Sequence, residues 1–191
     1  MTRGRLLVGS WVAVTLTICL GDHFFHVRTG ILRHHWRPFV DGQSVWVWLI
    51  FAVAAAAFVG VAAAVPLRDV PADVPWPAIV DSTALFIGAY ALSGQLGASH
   101  PAGLFVALVA VWLIRIAVRP TDRLWYAAHG IVLAAAGVVG EGLFSDLGLF
   151  DYRLQQVMNC PWWLAGLYLQ GSIALLEVAR GATALAGQRS G

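Results

Sequence analysis

The stretch Gly140–Arg180, GEGLFSDLGLFDYRLQQVMNCPWWLAGLYLQGSIALLEVAR, decides the fold. Glu141 stands among glycines near the end of one apolar segment. A short polar turn with Gly148, Asp151, Tyr152 and Arg153 follows. Asn159-Cys160-Pro161-Trp162-Trp163 then opens a second apolar segment. Proline suits the first turn of a helix, where its missing N–H is not needed. Paired tryptophans suit a membrane–water boundary. The stretch reads as a transmembrane hairpin carrying one costly carboxylate inside the bilayer.

The whole chain agrees with that reading. Of 191 residues, 59% are hydrophobic and 12% charged, with mean hydropathy +0.74. A polytopic membrane protein is expected. All 12 basic residues are arginine and the net charge is only +2, too sparse for a nucleic-acid surface. Cys19 and Cys160 have no metal-ligand spacing and fall near the same outer surface; two unpaired thiols are expected, with a disulfide between them as the alternative. Arg3 and Arg5 precede the first apolar run, but no small-residue cleavage site follows it, so an uncleaved helix is expected.

Six stretches approach the ~20 residues that cross a bilayer: Leu6–Leu20, Val45–Val65, Trp76–Ala98, Gly103–Val118, Leu124–Phe144 and Trp162–Ala179. The expected fold is therefore all-α, one domain of six transmembrane helices in a single bundle. With six spans both termini share a side. That side collects eight arginines (Arg3, Arg5, Arg68, Arg115, Arg119, Arg123, Arg180, Arg189), against four on the other (Arg28, Arg33, Arg37, Arg153). The excess places both termini in the cytoplasm.

The connection 21–43 mixes apolar Phe24, Phe25, Ile31 and Trp36 with His23, His26, His34 and His35, and reads as an interfacial segment. Its histidines are expected in contact with water. His23 and His26 can share a helical face, but no carboxylate or cysteine at fixed spacing supports a metal site. The connection 66–75 holds three prolines and should be non-helical.

Ionisable groups inside spans are candidates for function. Asp81 and Arg115 have matching depths on neighbouring helices and read as a structural ion pair. The third stretch carries two stripes: Asp81, Ala84, Gly88, Leu92 and Gln95, and Ser82, Phe86, Tyr90, Ser93 and Gly97. Gly130, Ala134, Gly137 and Glu141 form a small-residue packing face on the fifth, which turns Glu141 into the bundle. Gln95 has a similar depth and can join Glu141 at the polar head of a ligand. Glu177 and Arg180 are expected to reach water, and His129 to be interfacial. No nucleophile–base pair, phosphate loop or HExxH-type motif occurs, so no enzyme and no cofactor are expected.

Three places resemble the Insig family, small six-helix sterol sensors of the endoplasmic reticulum, and its bacterial relatives. They are Asp22-His23 through Leu32 with Gln43 and Trp46-Val47-Trp48; Phe86-Ile87-Gly88; and Gly148-Leu149-Phe150-Asp151-Tyr152 with Pro161 and Ala165-Gly166. The sequence departs from the family where an Asn-His pair follows Phe-x-Gly; here Tyr90 and Ala91 stand near those places. The loop Arg119-Pro120-Thr121-Asp122-Arg123 has altered spacing, which weakens any inference of a sterol-sensing partner. The arginine-only, alanine-rich composition points to a bacterial, actinobacterial or mycobacterial, homologue in the inner membrane. The resemblance implies a sensor that holds a neutral sterol- or diacylglycerol-like lipid within the bundle. The residues expected around it are Phe86, Tyr90, Ser93, Gln95, Gly137, Glu141, Trp163 and Tyr168. Small-residue faces on several helices suggest a homo-oligomer, a dimer or trimer. The alternative from the residues is a small transporter or proton-coupled carrier using Asp81, Arg115 and Glu141.

Overall fold

The computed structural model describes residues 2–36 and 38–187, with backbone alone for 38–40. Arg37 and Arg189 of the orientation count lie outside the described residues. The described residues form six α-helices: α1 (Arg3–Gly21), α2 (Val45–Ala64), α3 (Trp76–Leu96), α4 (Pro101–Ala117), α5 (Arg123–Asp146) and α6 (Trp163–Gly187). The protein is an all-α polytopic membrane protein. α1 with its extension to Val27, α2 and α5 are long and apolar enough to cross a bilayer, and α4 is a shorter apolar helix.

Local chemistry sets the helix starts. Thr2 Oγ1 caps α1 by accepting from the Arg5 amide at 3.1 Å, and Ser44 Oγ caps α2. Prolines occupy the first turns of α3 and α4. Pro161 lies two residues before α6, and its carbonyl accepts from the Leu164 amide.

α6 is the central pole of the bundle and touches the other five helices. It is apolar on nearly all sides and most of it is buried, as a helix without a solvent face must be. Glycines let its neighbours close in: Gly166 faces Leu108 of α4, and Gly171 faces Phe86 of α3. Gly181 packs beside Leu6, so the start of α1 lies against the end of α6 and both termini share one end of the bundle.

In the segment 21–43 the chain first continues α1 as a π-helical turn, Asp22–Val27, pressed against α3. Gly94 permits that contact, because a Cβ there would overlap the Phe25 carbonyl. The chain then forms β1 (Leu32–His34), which pairs antiparallel with β4 (Phe150–Tyr152) in the register Leu32↔Tyr152 and His34↔Phe150. Short strands β2 (Pro38–Val40) and β3 (Gln43–Ser44) pair with each other before α2. The β1–β4 clasp ties the first connection to the α5–α6 connection at the end of the bundle away from the termini.

Candidate functional site: a cavity with a carboxylate at one end

A cavity of about 500 Å³ lies inside the bundle, walled by α1, α2, α3, α5 and α6. That volume is within the roughly 300–1,000 Å³ usual for ligand sites. On α1 its wall runs from Arg5 to Ile18, which is about 20 Å at the ~1.5 Å rise per residue of a helix. Most of the lining is aliphatic or aromatic, including Ile50, Phe51, Phe58, Leu133, Phe144 and Leu167. Ser10 and Thr83 also line it, but their hydroxyls donate to the carbonyls of Leu6 and Ile79 one turn back. Those helix bonds leave the two hydroxyls little to offer a ligand.

The carboxylate end is built around Glu141. Its Oε1 accepts from the Tyr168 hydroxyl at 3.0 Å and its Oε2 from the Tyr152 hydroxyl at 3.2 Å. No arginine or histidine pairs with it among the described residues. Tyr90 lines the cavity beside this end, and Gly137 lets the Tyr168 ring lie flat against α5. Tyr152 lies outside the spans. Burial first, then the charges of Glu141 and Asp22, push its hydroxyl well above the ordinary tyrosine range, so it remains a neutral donor.

A second buried carboxylate lies toward the other end. Glu177 is 0% exposed, contrary to the expectation that it reaches water. Arg119 pairs with its Oε1, Arg180 donates to Oε2 at 2.9 Å, and the Tyr126 hydroxyl donates to Oε1 at 3.0 Å. Arg180 also binds Asp69 at 3.1 Å, while Asp122 accepts from the amides of Arg68 and Asp69. The group ties the α2–α3 and α4–α5 connections to α6.

Three of the four histidines of the first connection, His23, His26 and His34, are buried rather than in water, while His35 is exposed and pairs with Asp151. Asp22 Oδ2 accepts from Gln43 at 3.0 Å and lies 3.2 Å from His34 Nε2. His26, 1% exposed, lies 3.8 Å from Asp22 Oδ1 and 2.8 Å from Ser93 Oγ. Ser93, His26 and Asp22 thus stand in the order of a hydrolase relay. Their bonding opposes that chemistry. The Ser93 hydroxyl donates its proton to the Tyr90 carbonyl at 2.8 Å, so His26 Nε2 has to be the donor to Ser93. Ser93 is fully buried and borders no part of the cavity. Among the described residues no group of three or more side chains is placed to hold a metal.

Five of the eight expected lipid-site residues, Phe86, Tyr90, Gly137, Glu141 and Tyr168, line the cavity. Three do not. Gln95 is exposed on the outer face of α3, because the Ser82–Gly97 stripe is the one that faces α6. Ser93 is taken by His26. Trp163 packs against His26 and Tyr152 and donates to the Gly97 carbonyl at 3.1 Å. The expected Asp81–Arg115 ion pair is not formed: Arg115 donates to Ser82 and Gln170, and Asp81 is on the exposed face. His129, expected at the interface, is buried without a hydrogen-bond partner. Cys19 and Cys160 are free and buried, and burial pushes the Cys160 thiol up to about 12. The α1 wall is not among the residues expected from the sequence. Its signal was present as Gly9, Ala13 and Thr17, small residues at four-residue steps.

No family model matches the sequence, and no curated protein matches it. Solved structures do. The fold matches that of a mycobacterial Insig homolog. The similarity is to MvINS from Mycobacterium vanbaalenii, with TM-score 0.80 and 22% identity over 94% of this chain and 95% of that one. A cross-linked trimer of MvINS matches equally well, with the same score, identity and coverage. The Insig-like resemblance read from short motifs therefore extends to the arrangement of the whole bundle.

Proposed function

We propose that the chain is an Insig-like lipid-binding protein that holds one neutral amphipathic lipid, sterol- or diacylglycerol-like, in the cavity. The observation that carries this reading is the cavity's lining: a long apolar body with Glu141 and Tyr168 at one end and Arg5 at the opposite end. A lipid hydroxyl would donate to the carboxylate while rings or acyl chains fill the rest. An anionic head seated at Glu141 would meet that carboxylate without a neutralising cation and is disfavoured there, the cation of the lining, Arg5, being at the far end. The role is sensing without chemical turnover, through a lipid that binds one helix arrangement better than another. A homo-oligomer is part of the proposal, supported by the MvINS trimer. So are a bacterial inner-membrane location and cytoplasmic termini, supported by the arginine excess near the ends.

The carrier alternative requires Asp81, Arg115 and Glu141 along one path. Asp81 is on an exposed face and Arg115 is engaged by Ser82 and Gln170, so it has less support.

Native mass spectrometry of detergent-purified protein, with lipid extraction, tests the reading. One neutral lipid per protomer is expected. A Cβ at Gly9 or Gly140 meets nothing within 4 Å, and both residues line the cavity. Gly9→Phe and Gly140→Leu should therefore fill the space and lose the lipid while remaining folded. Full lipid occupancy in both variants would reject the cavity as the site.

A further inference from the structure

One part of the carboxylate end lies outside the bundle. Tyr168 lines the cavity, but Tyr152 does not: it is the last residue of β4 and stands behind the carboxylate. Its only hydrogen-bond partner through the hydroxyl, among the described residues, is Glu141 Oε2. Its ring is fixed edge-on to Trp163 and Phe150, with centroids 6.1 Å and 5.9 Å away. The strand is fixed in turn by its pairing with β1, by the Arg153 amide on the Ile31 carbonyl at 2.8 Å, and by the His35 amide on the Leu149 carbonyl at 2.9 Å.

We infer that Tyr152 is a positioning residue for head-group selection, which makes the outer β1–β4 clasp part of the lipid site. The inference rests on the proposed lipid-binding function. A carboxylate has about four acceptor positions, and the two tyrosines occupy two. With Oε2 held from behind by an immobile hydroxyl and Oε1 by Tyr168, the carboxylate plane cannot rotate to suit a poor ligand. In the ionised carboxylate the remaining lone pairs are fixed and accept only. A head with a free hydroxyl satisfies them. A head whose hydroxyl is capped as an ether brings another acceptor against them and donates nothing. Discrimination between the two depends on the carboxylate staying in place, and Tyr152 is the group that keeps it there from outside the cavity.

The test uses four probes added to delipidated protein in native mass spectrometry: 1,2-dioleoylglycerol and its 3-O-methyl ether, and cholesterol and its methyl ether. The wild-type protein should favour the free hydroxyl over its ether by roughly tenfold, the value of one net hydrogen bond. The pair that discriminates identifies whether the source is a glycerolipid or a sterol. Tyr152→Phe should bring that preference to about twofold or less, while the ether binds as it does to the wild type. Leu32→Ala leaves every group at the carboxylate but removes a buried core contact of the strand facing Tyr152, so it should lower the preference by a smaller factor. It also serves as the test if Tyr152→Phe does not fold. An unchanged preference in these variants overturns the inference, and so does an equal loss of both lipids in a pair, which marks a merely structural role. If the wild-type protein binds none of the four probes, the cavity reading itself falls.

Discussion

Two glutamates buried in one bundle have opposite surroundings. Glu177 is met by two arginines and a tyrosine and borders no part of the cavity. Glu141 is met by two tyrosines and no cation, and it borders the cavity. A buried carboxylate with its charge matched inside the protein has a structural role, because removing it strands its partners. A buried carboxylate whose hydrogen bonds are only partly used, beside an apolar space, is arranged to meet something from outside. The comparison teaches that cost of burial alone does not mark function in a membrane protein. The missing partner does.

The largest effect that sharpens this comparison is Glu177→Ala. It leaves the partly buried Arg119 without its counter-ion and Arg180 with Asp69 alone, and we expect a loss of about 3 kcal/mol, the low end for a broken buried pair, in thermal or denaturant unfolding in detergent. Glu141→Gln should cost only about 1 kcal/mol, the scale of one or two altered hydrogen bonds. Equal losses would erase the distinction. Next comes Gly137→Ala, whose Cβ would enter the Tyr168 ring. We expect about 1–3 kcal/mol of destabilisation, with lipid lost because Tyr168 leaves Glu141. A smaller effect is expected from Tyr126→Phe, about 1 kcal/mol in the same unfolding assay with lipid occupancy unchanged. The smallest is Asp81→Asn. An exposed residue away from both centres should stay within about 0.5 kcal/mol of wild type, and a larger shift would point to a role for Asp81 that the geometry does not give it.

Much of the bundle was readable because apolar length and small-residue spacing are local signals. The hairpin from Gly140 to Arg180, the packing face Gly130–Ala134–Gly137–Glu141 and the inward direction of Glu141 all follow from helical spacing. Both stripes of α3 were visible, but which one faces inward is decided by α6, through Gly171 against Phe86. Gln95 and Asp81 were misplaced for that one reason. The clasp was not readable, since Leu32 and Tyr152 are far apart in sequence and three-residue strands leave almost no pattern. The same holds for Glu177: a carboxylate near a helix end reads as solvated until Arg119 is brought to it by the turn between α4 and α5.

The most direct test of the account is photo-crosslinking with a diazirine-bearing diacylglycerol and a diazirine-bearing cholesterol in nanodiscs, followed by peptide mapping. The account predicts adducts on cavity-wall residues such as Phe58, Phe86, Phe144 and Leu167, reduced in Gly140→Leu. Adducts confined to outward residues such as Val53, Val111 and Ile131, and unchanged in that variant, would mean that lipid only coats the bundle, and would contradict it.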